Sequence, residues 1–463
     1  MKKTIYLKTL LAASLLSFGL SANAQEQTRA FGRPLKHAPH PENGLVRCVT
    51  SEYEEYLQEK NPERQSRAQF EQWLEAKITD VRAQRMASPG EAAAIITIPV
   101  VVHVIHNGDA VGSNENIADA QVLSQITVLN QDYRRMAGTP GFNSNPVGAD
   151  VEIQFCLAKV DPENNPTTGI DRVNLGLATW NSENAIENTM KPATIWDPTK
   201  YFNIWVCSFG GSMNGTLGYA QFPNAGAVPG VGTDNGGADT DGVVIGYRYF
   251  GSRTIYSQGN YQFPYDKGRT TTHEIGHALG LFHTDGDNPT CTTNTSDSFK
   301  DYCPDTPVIY ELNYECSTTD SCPGSAGNDM VENYMDYTPD ACMNIFTQNQ
   351  KTRMVAVMQF GTRRASLKNS TVCQQTADRD DFELLNGLNV YPNPVRDVLN
   401  IASDNGDLPD SFTIYNSLGQ TMAMVKVTSM TNLEVNATNY SNGIYFIKIN
   451  KGSQSKTIRF IKN

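Results

Sequence analysis

The stretch HEIGHALGLFH, residues 273–283, holds three of the chain's seven histidines within eleven residues. No other segment restricts the possible folds as tightly. On a helix, His273 and His277 stand one turn apart on one face, so their imidazoles can converge on a single ion. His283 lies ten positions beyond His273, about 280° around a continued helix, and would point away. Gly280 removes that difficulty. A glycine can take a left-handed conformation, end the helix and turn the chain back, so that His283 supplies a third nitrogen from below. Three neutral imidazoles with a fourth position open are the arrangement of a catalytic zinc rather than a structural one. Glu274 adjoins a ligand but is better used on the water: its carboxylate takes the proton as the water attacks a carbonyl. A lone HExxH is moderately specific; the extended form HExxHxxGxxH is strong. His103 and His106, in an apolar run before Asn107, read as strand histidines rather than ligands.

The chain begins MKKTIYLKTLLAASLLSFGLSANAQ. Lys2, Lys3 and Lys8 precede an apolar stretch from Thr9 to Leu20, and Ala22-Asn23-Ala24 is a small-residue cleavage site. Residues 1–24 therefore read as a signal peptide, too short and wrongly flanked for a membrane span. No later segment is apolar enough to cross a bilayer. Net charge is −12 with no basic stripe, which argues against nucleic acid as a partner. Export makes the nine cysteines a disulfide question. The count is odd, so at least one is left over. Cys48 stands far from the rest, while five crowd into residues 291–342.

Texture divides the exported chain. Residues 25–94 are polar and helical in pattern, with Tyr56, Phe70, Trp73 and Leu74 as a broken apolar face, and read as a small helical appendage. AIITIPVVVHVIHNG then opens a buried strand. Val122, Ile126, Leu129 and Tyr133 share a helix face, and strands are expected in VEIQFCLAKV, YFNIWVCSF and DGVVIGYRYF. Residues 95–375 thus read as an α/β (α+β) domain with a mixed sheet and an active-site helix. Residues 376–387 form a linker. Residues 388–463, without cysteine, show the short alternating runs of an all-β sandwich.

The zinc pattern resembles that of metzincin metallopeptidases. A methionine turn should follow, and ENYMDYTPDACMNIFTQNQ resembles one, with Met335 as the apolar floor and Tyr337 facing the metal to hydrogen-bond the oxyanion. Among metzincins, IPVVVHVIHNG, VLNQDYRR, HEIGHALGLFHT, CPDTP and the methionine-turn block resemble the pappalysin family in content and order, over roughly residues 95–365. GTLGYAQFP, 215–223, resembles the edge strand on which such enzymes lay an extended substrate. The resemblance implies cleavage of proteins, disulfides Cys291–Cys322 and Cys316–Cys342, and Asp340 at the bottom of the pocket for the residue after the cut. A carboxylate there favours Arg, then Lys, so autolysis is expected before Arg82, Arg85 or Arg379. Asp301, Asp305 and Thr306 resemble a calcium-binding stretch interrupted by Cys303, with a solvated turn as the alternative. Cys156, Cys207, Cys303 and Cys373 exceed the family's usual set. Cys48, in a segment resembling a propeptide, is the candidate latency ligand, its thiolate filling the fourth zinc position; pairing with another cysteine is the competing reading.

NVYPNPVRDVLNI, GIYFIKI and the ending KTIRFIKN resemble the type A sorting domain of the type IX secretion system. That implies a partner in the secretion machinery and a secreted or cell-surface protein routed through the periplasm. Together these readings give a secreted zinc endopeptidase made as a latent precursor. Its rivals are a catalytically idle adhesin, against which intact Glu274 argues, and a zinc amidase or esterase acting on non-protein substrates.

Overall fold

The computed structural model describes residues 28–87, 94–225, 237–292, 299–374, 388–403, 408–451 and 454–463. The signal peptide, the linker and Arg379 lie outside these residues. The chain forms two compact units, one ending at Gln374 and the other beginning at Gln375.

The first unit is built on a mixed sheet. β3 (Ile96–His106) is its centre, and the β-branched run is buried from Ile98 to Ile105, as a strand covered on both faces requires. β4 (Ile153–Leu157) and β5 (Ile170–Asn174) pair in tandem along one side of β3, and β6 (Phe202–Cys207) along the other, all parallel. β8 (Gly242–Gly246) continues the parallel order, and β7 (Gly218–Ala220) closes the edge antiparallel to it. β7 lies within the segment expected to be the substrate-binding edge.

α3 (Asp119–Tyr133) covers one face with Val122, Leu129 and Tyr133 buried, while Ile126 is half-buried. A short helical run crosses the other side: α4 (Glu183–Ala185), a π-helical turn over Ile186–Met190, and α5 (Lys191–Thr194). α6 (Arg269–Ala278) carries the histidine motif. The single turn α7 (Phe299–Tyr302), then α8 (Gln348–Phe360) and α9 (Arg364–Leu367) complete the unit. α8 starts in a capping box between Thr347 and Gln350.

Residues 28–87 do not stand apart as an appendage. They form a two-strand ribbon, β1 (Arg29–Ala30) and β2 (Arg33–Pro34), and two helices, α1 (Thr50–Lys60) and α2 (Arg67–Ala87), all within the first unit. The helical pattern breaks at Asn61–Ser66, because Phe70, Trp73 and Leu74 must reach a different apolar surface from Tyr53. They pack against Phe222, Val355 and Val357. Arg82 and Arg85 lie inside α2, so cleavage at either would first require that helix to unwind.

The second unit is two antiparallel sheets. β9 (Leu388–Tyr391), β10 (Val398–Ser403) and β13 (Glu434–Asn436) form one in the order β13-β10-β9. β11 (Ser411–Asn416), β12 (Thr421–Lys426), β14 (Gly443–Lys451) and β15 (Gln454–Lys462) form the other in the order β12-β11-β14-β15. Alternate residues of both, among them Leu399, Ile401, Phe412, Ile447 and Phe460, share one core, as in a sandwich.

Candidate active site

α6 is fixed before it presents its histidines. Asp132 of α3 pairs with Arg269 at 3.0 Å and accepts from the Thr272 hydroxyl at 2.8 Å, while the Tyr133 hydroxyl donates to the Thr272 carbonyl. Two glycines shape the motif. At Gly276 a Cβ would lie 2.5 Å from the Met335 sulfur, so only glycine lets the methionine lie directly under the helix. Gly280 has φ of 89°, the left-handed turn that ends the helix, and a Cβ there would lie 2.8 Å from Val357.

The three histidines converge. The Nε2 atoms of His273 and His283 lie 3.1 and 3.0 Å from that of His277. Their Nδ1 atoms are each taken by an acceptor: the Tyr334 carbonyl at 2.7 Å for His273, the Leu281 carbonyl at 2.8 Å for His277, and the Asp287 carboxylate at 2.7 Å for His283. An acceptor at each Nδ1 favours the tautomer that carries its proton there, which turns the Nε2 lone pairs toward one another. Burial also presses His273 and His277 well below the usual histidine range, so they stay neutral. Buried lone pairs in that arrangement repel unless a cation lies among them. Nitrogens bound tetrahedrally at the 2.0–2.1 Å typical of zinc lie about 3.3–3.4 Å apart, close to the spacing found. The residues fit the metal that the motif implies.

Cys48 is the fourth member of the cluster. Its sulfur and the three histidine nitrogens all lie within 4.8 Å of one another. It is a free thiol, buried, as are Cys207 and Cys303. Three disulfides join Cys291 to Cys322, Cys316 to Cys342 and Cys156 to Cys373.

The residues around Cys48 run through the site as an added strand. Val46 donates to the Gly215 carbonyl and accepts from Leu217, both at 2.9 Å, in a parallel bridge to Thr216, and Val49 donates to Gly218 at 3.4 Å. The Thr50 hydroxyl accepts from the Ala220 N–H at 2.8 Å and donates to Glu274 Oε2 at 2.9 Å. The Cys48 thiol lies 3.4 Å from the same oxygen. Burial raises the Glu274 carboxyl to about 8, opposed by those two hydrogen bonds. The Tyr337 hydroxyl donates to the Cys48 carbonyl at 3.2 Å. On the other side of Cys48, the Arg47 guanidinium reaches Asp340 at 3.1 Å and lies 4.7 Å from the Tyr265 ring centroid. The second Asp340 oxygen accepts from the Lys267 and Arg269 amides at 2.8 and 3.2 Å. His37 bonds Asp285 at 2.9 Å and lies edge-on to His283 and Tyr337.

The site therefore gathers His273, Glu274, His277, His283, Met335, Tyr337, Asp340 and Cys48. The calcium candidates lie elsewhere. Asp301 is buried, accepting from the Cys303 amide and the Thr306 hydroxyl. Asp305 turns to the N-terminus of α8, accepting from Thr347 at 2.7 Å and Asn349 at 2.9 Å. His103 is a buried strand histidine between Asp171 and Asn203. Arg47, Thr50 and His37 are site residues that sequence reasoning missed. Only Arg47 carried a signal: a cation next to the isolated cysteine, in a chain with an acid expected in the specificity pocket.

Residues 185–359 match the family described as pregnancy-associated plasma protein-A, and residues 389–463 match the secretion system C-terminal sorting domain. An extracellular metalloprotease of Verticillium alfalfae is 32% identical over 283 residues, covering 60% of this chain and 82% of that protein. Another from Colletotrichum graminicola is 33% identical over 273 residues, covering 58% and 79%. Among solved structures, a mutant of Tannerella forsythia promirolysin is 36% identical with a TM-score of 0.50, covering 65% of this chain and 93% of that one.

Proposed function

This chain belongs to the pappalysin family of extracellular metalloproteases and carries a type IX sorting domain, and from that premise we propose that it is a zinc endopeptidase held latent by a propeptide, residues 25–94, and selective for Arg, then Lys, after the cut. The single observation that carries the reading is the placement of Arg47 and Cys48. Arg47 fills the Asp340 pocket while Cys48 lies at the histidines, so the leader occupies the place of a substrate.

His273, His277 and His283 would hold the zinc, with Cys48 as fourth ligand in the precursor. When bound, zinc supplies Lewis acidity, polarising the scissile carbonyl and acidifying water. Glu274 would take the proton of the attacking water and return it to the leaving amine. The Tyr337 hydroxyl, which bonds the Cys48 carbonyl in the precursor, turns to the developing oxyanion. The amide and carbonyl groups of residues 215–220 bind substrate backbone regardless of its sequence. Asp340, with one oxygen held by two backbone amides, offers the other to a guanidinium, as it does to Arg47, and suits an ammonium less well.

Latency has two parts in this reading. Cys48 closes the metal position, and Thr50 occupies both the general base and the Ala220 amide that a substrate would use. The sorting domain directs the protein to the type IX machinery and thus to the cell surface or beyond it. Casein hydrolysis by the matured protein tests the catalytic reading. Activity should disappear with a chelator, return with zinc, and be absent in Glu274→Ala. Hydrolysis that persists in that variant would overturn it.

A further inference from the structure

The leader makes one contact behind the edge strand that latency does not need. Tyr53, one turn into α1, is fully buried. Its ring enters a slot whose walls belong to the catalytic part of the unit. Tyr219, the middle residue of β7, lies edge-on to it at a centroid distance of 5.2 Å. The Lys191 ammonium lies 4.8 Å from the ring centroids of both Tyr53 and Tyr219, and 5.4 Å from that of Trp205. At the end of the slot, one oxygen of Glu187 accepts the Tyr53 hydroxyl. The other accepts the Tyr219 hydroxyl at 2.6 Å and pairs with Lys191 at 2.7 Å.

This is an expensive place for charge. The side chains of Lys191 and Glu187 are 0% and 5% exposed. Apolar residues of similar size would hold a core at least as well, so stability alone is a weak reason to keep a buried pair. Glu187 sits on the π-helical turn at Ile186–Met190, an insertion of the kind that re-aims side chains at functional sites. The slot's chemistry matches a phenol: a carboxylate for the hydroxyl and an ammonium for the ring face. It is also within reach of the cleft. Tyr219 faces the slot, while β7, its own strand, takes the leader's backbone at Gly218. When the leader departs, Tyr53 and its neighbours Phe31 and Tyr56 leave with it, and Glu187, Lys191, Tyr219 and Trp205 remain.

We propose that this slot is a substrate subsite of the mature protease, taking a tyrosyl side chain whose hydroxyl donates to Glu187 and whose ring covers the Lys191 ammonium. Tyr53 is its stand-in in the precursor. The inference rests on the reading that the leader lies where substrate lies.

The test uses the matured enzyme and a peptide it cuts at one bond, with Tyr, Phe or Ala placed at each flanking position in turn. At one position Tyr should exceed Phe by about tenfold in kcat/KM, the worth of one hydrogen bond to a charged group. In Glu187→Gln that ratio should fall to near one. If the variant does not fold, p-cresol decides with the unmodified enzyme: it should compete with the tyrosine peptide and spare the alanine peptide. A flat Tyr-to-Phe ratio at every position overturns the subsite. So does a ratio that survives in Glu187→Gln, or p-cresol acting on both peptides alike or on neither. An enzyme that cuts none of the peptides would instead overturn the protease reading.

Discussion

Replacing Arg47 by alanine in the precursor removes the leader's deepest charged contact without touching the catalytic residues. Both partners of the Arg47–Asp340 pair are at most 1% exposed, at 3.1 Å. Breaking a buried pair of this kind costs about 3–5 kcal/mol. Asp340 keeps two backbone donors, so the lower end applies, about 3 kcal/mol, or roughly a hundredfold in the balance between seated and unseated leader. If maturation proceeds from the unseated state, its initial rate should rise by about that factor. Arg47→Lys should fall between, because one ammonium cannot reproduce the guanidinium's contacts with Asp340, Met343 and Tyr265. Zinc-loaded precursors would be followed by gel and by a fluorogenic arginine peptide. Arg47→Ala maturing within twofold of the parent rate would refute the argument that Asp340 anchors the leader.

Cys48→Ala and Thr50→Val should each shorten the lag before autoactivation, and the double variant should show almost none; a Cys48→Ala precursor as inert as the parent would exclude the thiol as the switch. Stability should also depend on acid. Burial raises the Asp241 carboxyl, but Arg364 and Arg363 outweigh it and hold it at about 2, against 3.8 for a free aspartate. A depressed folded pKa means the contribution, about 2 kcal/mol, is complete above about pH 4 and is lost as pH falls toward 2. The thermal midpoint of Asp241→Asn should therefore lie well below the parent's at pH 6, with the gap narrowing below pH 4; a gap independent of pH would contradict the assignment. Gly276→Ala should cost most of the activity and several degrees of stability, because its Cβ would displace Met335, and unchanged melting would show that the contact is looser than the geometry implies.

The histidine motif was legible because helix periodicity and one left-handed glycine determine where its nitrogens point, with little help from the rest of the chain. β3 was legible for a similar reason: a β-branched run buried on both faces has few alternatives. β5, with the sequence IDRVN, escaped notice, since it is half-exposed and neither alternates nor forms an apolar run. α8 escaped because buried residues surround its second half, from Arg353 to Met358, which erases the one-sided pattern that marks a surface helix. The leader's route was the largest gap. Its composition reads as a solvated helical appendage, yet Arg47 reaches Asp340, Cys48 and Thr50 reach Glu274, and Tyr53 reaches Glu187. Such contacts between distant segments leave no periodic trace; Cys48 stood out only by its isolation.

The central claim is a zinc ion on three histidines that Cys48 covers until the leader is removed. X-ray absorption at the zinc edge, on the precursor and on the matured enzyme, reads those ligands directly. The precursor should show three nitrogen neighbours at about 2.0–2.1 Å and one sulfur at about 2.3 Å, and the matured enzyme the same nitrogens without the sulfur. A precursor with no sulfur neighbour, or an active enzyme that retains one, would contradict the account.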